Sequence, residues 1–312
     1  MTPSLHKLRK LELLDLSSNK LNEDAEILFK KLQQIGLLEN AGQSTLQKLF
    51  LQKNQIYGTL PPFGDRLANL EQLKLENNKL EGPLPPQMDA MAKLETLHMQ
   101  HNMLTGGLPP ELADLWRLKD LNLGANDLRG EIFDLIGLPG LRSLSLEHNR
   151  LNGPFPAGVA SCPKLQLLDL SHNRLDGPLP ADLVLSQELQ TLDLSTNRMS
   201  GPVPVTVLSN THNLLSADLS GNRFDGPIEG FLRGIPDKNT LSMINLAKNK
   251  FDGELPAMLA EFGRASLILS DNYFRGRVPA ELVPLLDGEK RLEVGNNRGL
   301  QMQVRGATRG EL

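Results

Sequence analysis

One recurring pattern restricts what this 312-residue chain can fold into: Leu-x-Leu-x-x-Asn, with Met, Ala, Ile or Val sometimes standing in a leucine slot. Its asparagines are Asn19, Asn54, Asn78, Asn102, Asn126, Asn149, Asn173, Asn197, Asn222, Asn249, Asn272 and Asn297, most of them about 24 residues apart. A fixed period of this length means a stacked solenoid in which each coil contacts only its neighbours. Such chains act through a long binding face rather than a catalytic pocket.

The segment LETLHMQHNMLTGGLP, residues 94–109, shows the physics of one coil. Leu97 and Met99 alternate with Thr96, His98 and Gln100, the period-2 signature of a short strand with one buried face. Such a strand cannot bury enough apolar area alone, so coils must stack. Asn102 falls where the chain turns off the strand. Its amide is placed to bond backbone groups that the turn would otherwise bury unpaired. The twelve asparagines therefore read as a structural ladder. Most repeats continue Leu-x-Gly-x-Leu-Pro. Gly58, Gly82, Gly106 and their equivalents suit a positive φ, and Pro61, Pro85 and Pro109 fix an extended path three residues later. The proline is missing where Ile132 precedes Phe133 and where Ile228 precedes Glu229.

Segments such as NKLEGPLPPQM, HNMLTGGLPPEL, HNRLNGPFPAGV, HNRLDGPLPADL and NRMSGPVPVTVL resemble the plant-type leucine-rich repeats of receptor-like kinases, receptor-like proteins and polygalacturonase inhibitors. The resemblance spans about residues 46–282. It implies an α/β solenoid, a leucine-rich repeat superhelix of about twelve repeats with a parallel β-sheet on the concave face. The first repeat differs: NEDAEILFKKLQQIG reads as a helix, capped by Asn22, with Ile27, Leu28, Leu32 and Ile35 on its apolar side and Gly36 at its end. That repeat resembles those of ribonuclease-inhibitor-like proteins. The expected organisation is one domain over residues 1–300: an irregular helical repeat at 8–45, plant-type repeats at 46–282, a degenerate repeat at 283–300, and a disordered polar tail at 301–312. Leu5, Leu8 and Leu11 already lie in repeat phase, so neither end reads as a proper cap. A partner or a missing segment is expected to cover the solenoid ends.

Three features point away from secretion. Met1 to Lys10 is polar and basic, Cys162 is the sole cysteine and cannot form an internal disulfide, and no Asn-x-Ser/Thr site occurs. With the ribonuclease-inhibitor-like first repeat, they make the cytoplasm the expected location; a truncated N-terminus would make it extracellular or cell-surface. No apolar run of 18 residues is present to span a membrane, and no kinase signature appears. The net charge of -4 offers no basic stripe for nucleic acid.

The side chains flanking each Leu-x-Leu, and the two before each asparagine, form the expected concave face. From the second to the seventh repeat this face is rich in large side chains; beyond, it is small and hydroxyl-rich. Candidate ligand-binding residues are Lys53, Lys74, Glu76, His98, His101, Asp120, Glu147, His148 and His172, with Trp116 on the adjoining flank. His148 and His172 should be lateral neighbours at roughly 4.8 Å. Four face histidines would allow a pH-sensitive patch, but a flat sheet does not converge three ligands at the ~2.0–2.3 Å that zinc needs. Asp169, Asp193 and Asp218 form a second column; calcium or a basic peptide is the sharp reading, and pairing with neighbouring hydroxyls the plain one. Cys162 reads as a small buried residue. No nucleophile–base–oxyanion constellation is present. The resulting expectation is a non-enzymatic scaffold with no cofactor or metal, binding a protein or peptide and no nucleic acid. Its alternative is a fragment of a receptor-like or enzyme-inhibitor-like ectodomain in extracellular ligand perception.

Overall fold

The Leu-x-Leu stretch of each coil forms a strand of three residues at most, and a strand that short persists only when hydrogen-bonded to neighbours. The structure, a computed structural model, describes residues 10–38, 44–287 and 291–301. They fall into two compact units, residues 1–152 and 153–312. Leu5 and Leu8 lie outside the described residues, as does the expected tail from residue 302; Gln301 belongs to a short strand, Gly299–Gln301.

The first unit contains the strands Leu13–Asp15, Lys48–Phe50, Gln72–Lys74, Thr96–His98, Asp120–Asn122 and Ser143–Ser145. Neighbouring strands within the unit pair in parallel, and the register aligns Leu14, Leu49, Leu73, Leu97, Leu121 and Leu144 in one column. The second unit repeats the design with Leu167–Asp169, Thr191–Asp193, Ser216–Asp218, Met243–Asn245, Ser266–Ile268 and Leu292–Glu293. There the column is Leu168, Leu192, Ala217, Ile244, Leu267 and Leu292. Almost all of these side chains are excluded from water, as are Phe224, Phe251 and Phe274. Each large one contributes about 1.5–3 kcal/mol by burial, which is what holds the coils in register.

The asparagines sit beneath the strands. Asn126 donates to the carbonyls of Met99 (3.1 Å), Leu123 (3.0 Å) and Gly124 (3.1 Å), and accepts from the Leu104 amide (2.9 Å). Asn102 repeats this toward Leu75, Met99, Gln100 and Leu80 one coil earlier. Asn19, in the first described coil, is exposed, and its bonds run to Leu16 and Ser17 of its own coil. After the asparagine, the slot glycines adopt φ from +75° at Gly177 to +85° at Gly276, a region that costs a residue with a Cβ about 1–2 kcal/mol.

The helix of the first repeat, α1, runs Ala25–Gln34. Asp24, not Asn22, caps it: the carboxylate accepts from the Ile27 amide, two residues closer to the helix than expected. The buried side is Ala25, Leu28, Phe29 and Leu32. Ile27, expected there, is exposed, because rotating the helix to bury the larger Phe29 turns Ile27 outward. Where Glu229 replaces the usual proline, the chain is free to form a short helix, α2, over Glu229–Arg233. Among the described residues no helix is long and apolar enough to cross a membrane.

Candidate ligand-binding face

The strands set the candidate side chains by register rather than by sequence neighbourhood. Lys74 and His98 are direct partners on adjacent strands, and Thr96 partners Asp120. The structure brings three candidates together on this face. His98 Nε2 lies 3.0 Å from Asp120 Oδ2, and the Lys74 ammonium stands 5.2 Å above the Phe50 ring. Burial pushes the Asp120 carboxyl up. Its hydrogen bond and charge contact with His98, the Ser143 hydroxyl and the Lys74 charge outweigh this, holding it below the ordinary carboxylate range. Phe50 was not a candidate from sequence; only the pairing with Lys74 one coil away gives it a place in the cluster.

Lys53, His101, His148 and His172 share another setting. Each immediately precedes a ladder asparagine and adopts a left-handed backbone, with φ between +51° and +57°. The same slot holds Ser18, Asn77, Ala125, Thr196 and Lys248 at positive φ in other coils. The conformation is therefore a property of the repeat, stabilised by amide bonds such as Lys53 to the Glu76 carbonyl and His101 to the Gly124 carbonyl. All four side chains are exposed. His148 belongs to the first unit and His172 to the second.

Glu76 and Glu147 occupy the slot two residues before the asparagine, and that slot turns inward. One oxygen of Glu76, and one each of Gln52 and Gln100 in the adjoining coils, is shut off from solvent without a hydrogen-bond donor. The Glu147 carboxylate lies over Gly124, where a Cβ would collide with it. In the second unit the slot holds Ser171 and Ser195, and both are buried, at 4% and 8% exposure. The expectation that these serines line an open face is corrected: two positions beyond the strand, the chain has already begun to turn beneath it.

Trp116 stands apart from the cluster, 56% exposed, with the Arg117 guanidinium 4.7 Å from its ring. The second unit presents Asp169, Asp193 and Asp218 in one in-register column. Each accepts from a backbone amide two residues on, at Ser171, Ser195 and Ser220, and Asp218 also takes the Asn245 amide at 2.9 Å. Burial, followed by the charges of Asp169 and Asp218, raises the central Asp193 above the ordinary range against the opposing Ser195 bonds. Among the described residues no group of three or more His, Cys, Asp or Glu side chains could hold a metal ion. Cys162 is buried.

The profile of the leucine rich repeat family matches residues 44–104 and 117–175. No curated protein matches this chain. Among solved structures, it is similar to the LRR ectodomain of the plant membrane receptor kinase GASSHO1/SCHENGEN3 from Arabidopsis thaliana, crystallised with CASPARIAN STRIP INTEGRITY FACTOR 2. Identity is 31% and the TM-score 0.76, over 94% of this chain and 36% of that one. A TDR receptor matches at 27% identity and a TM-score of 0.81, over 96% and 49%. A plant ice-binding protein matches at 26% and 0.62, over 78% and 77%. The chain thus spans between a third and a half of the receptors it resembles. These likenesses overturn the expectation of a cytoplasmic protein and point to an extracellular location. The cysteine argument failed for a physical reason: a solenoid is held by stacking between coils, so scarce disulfides do not fix its compartment. The chain is a leucine-rich repeat solenoid of the plant type.

Proposed function

We propose that this chain is part of a receptor-like or inhibitor-like ectodomain that binds an extended polypeptide along the strand face of its first unit. The observation that carries this reading is the cluster of Phe50, Lys74, His98 and Asp120, four large side chains from four successive strands, held by a histidine–carboxylate contact and a cation–π contact. A specific interface needs such anchors within about 800 Å² per partner, and aromatic and basic side chains are the types that carry binding energy. Lys53, His101 and His148 are exposed in the same unit, Trp116 supplies a flank anchor, and His172 belongs to the second unit and stands outside this reading. The ligand-bearing ectodomain among the similar structures supports a polypeptide ligand. The reading is non-enzymatic: the Ser143 hydroxyl beside the pair bonds the Asp120 carboxylate, not the His98 base that would have to activate it as a nucleophile.

The test is selection of binders from a displayed library of random linear peptides, followed by affinity measurement on variants. His98→Ala, Trp116→Ala and Lys74→Ala are each expected to weaken the selected peptides by roughly tenfold or more, as for interface anchors. Thr196→Ala and Ser220→Ala should leave them unchanged. Peptides that ignore the three first-unit variants but depend on the second unit would refute the assignment.

A further inference from the structure

The first repeat carries a cavity that the strand face does not use. It encloses about 220 Å³ and is bounded by α1 on one side and by residues 61–67 of the next coil on the other. Its origin is a mismatch between neighbouring coils. The first spends ten residues on an α-helix, whereas the next has only the single helical turn Gly64–Leu67. The wider element overhangs the narrower one, and the step is not filled.

The floor is apolar. Phe29, Leu38, Phe63 and Leu67 line it, and the Phe29 and Phe63 rings lie 5.5 Å apart at 42°. Pro61 and Pro62 make a stiff wall. The charged groups of the lining are Glu26, Lys30 and Arg66. Lys30 is already matched, with its ammonium 2.6 Å from the Glu26 carboxylate. Arg66 is exposed and has no ion-pair partner among the described residues. An apolar cavity edged by a guanidinium with no ion-pair partner among the described residues is complementary to an apolar anion.

We propose that this cavity binds a small carboxylic acid with an apolar body, its ring or chain against Phe29 and Phe63 and its carboxylate on Arg66. A guanidinium offers carboxylates two parallel N–H donors, so charge and geometry both favour this group over a neutral polar one. The volume falls below the roughly 300 Å³ at which sites for drug-sized ligands begin, which restricts the ligand to a single ring or a medium-length chain. The proposal is independent of the polypeptide reading of the strand face.

The test titrates the full chain near neutral pH with phenylacetate, octanoate and the uncharged 2-phenylethanol, followed by calorimetry and by NMR of the aromatic side chains. At least one acid should bind saturably at one site, with the alcohol about tenfold weaker or worse, because it cannot form a charge-assisted pair. Arg66→Gln should weaken the acid by a similar factor. Lys30→Gln should change it far less, and Glu26→Gln, which frees the Lys30 charge, should strengthen it. All three side chains are exposed, so the variants should retain the wild-type circular dichroism. The proposal is overturned if neither acid saturates by about 10 mM, a free energy too small for a built site. It is also overturned if acid and alcohol bind equally, or if Arg66→Gln binds as the wild type does.

Discussion

Asn126→Ala tests how the ladder is wired. A plain count gives Asn126 four hydrogen bonds, and at about 1 kcal/mol each their loss would cost ~4 kcal/mol. The structure argues for less. All three carbonyls have a second donor: Met99 O also accepts from Asn102, Leu123 O from Asn149, and Gly124 O from the His101 amide. The group that loses its acceptor is the buried Leu104 amide, which donates to Asn126 at 2.9 Å. One orphaned buried donor costs about 1–3 kcal/mol, so ~2 kcal/mol is expected. Asn126→Asp should be worse. It keeps the acceptor for Leu104 but aims a carboxylate oxygen at three carbonyls, and an unpaired buried charge costs about 3–5 kcal/mol. The folded state then raises the new carboxyl above its unfolded pKa, so the penalty is full at neutral pH and fades as pH falls through the raised value. Urea unfolding by two probes would give the energies, because repeat arrays can lose two-state behaviour. Hydrogen exchange of the Leu104 amide would localise the damage. A loss of 4 kcal/mol or more in the alanine variant, undiminished protection at Leu104, or an aspartate variant as stable as alanine would each refute this account.

The remaining expectations concern other parts of the repeat. Gly137→Ala would drive a Cβ into the Ala113 carbonyl of the preceding coil, and the backbone shift should cost about 1–3 kcal/mol; Gly107→Ala, with only Arg129 O at 3.6 Å, is the control, and similar melting shifts at both would sink the argument. Asp193→Asn should stabilise the fold by about 0.5–1 kcal/mol at low salt, because it removes the like charge between Asp169 and Asp218. Since the folded state raises the Asp193 pKa, the gain should be largest at neutral pH and vanish as acid protonates the wild-type carboxyl; a gain that grows toward low pH would contradict the sign.

Repetition made most of the architecture legible in the sequence. The spacing of Leu97, Met99 and Asn102 encodes a strand, its buried face and its turn within six residues, and each copy states the same solution. The glycine slots were legible for the same reason, as a positive φ is a local backbone demand. Local pattern could not say how far the chain turns after a strand, so Ser171 and Ser195 read as face residues although they are buried. Nor could it choose between Asn22 and Asp24 as the helix cap: both residue types serve, and the choice follows from which rotation of α1 buries Phe29. The joining of Phe50, Lys74, His98 and Asp120, the shared carbonyls of the ladder and the cavity beneath α1 all depend on pairs about 22 residues or more apart in sequence. Stacking decides those contacts, because lateral register and the width of neighbouring coils belong to no single repeat.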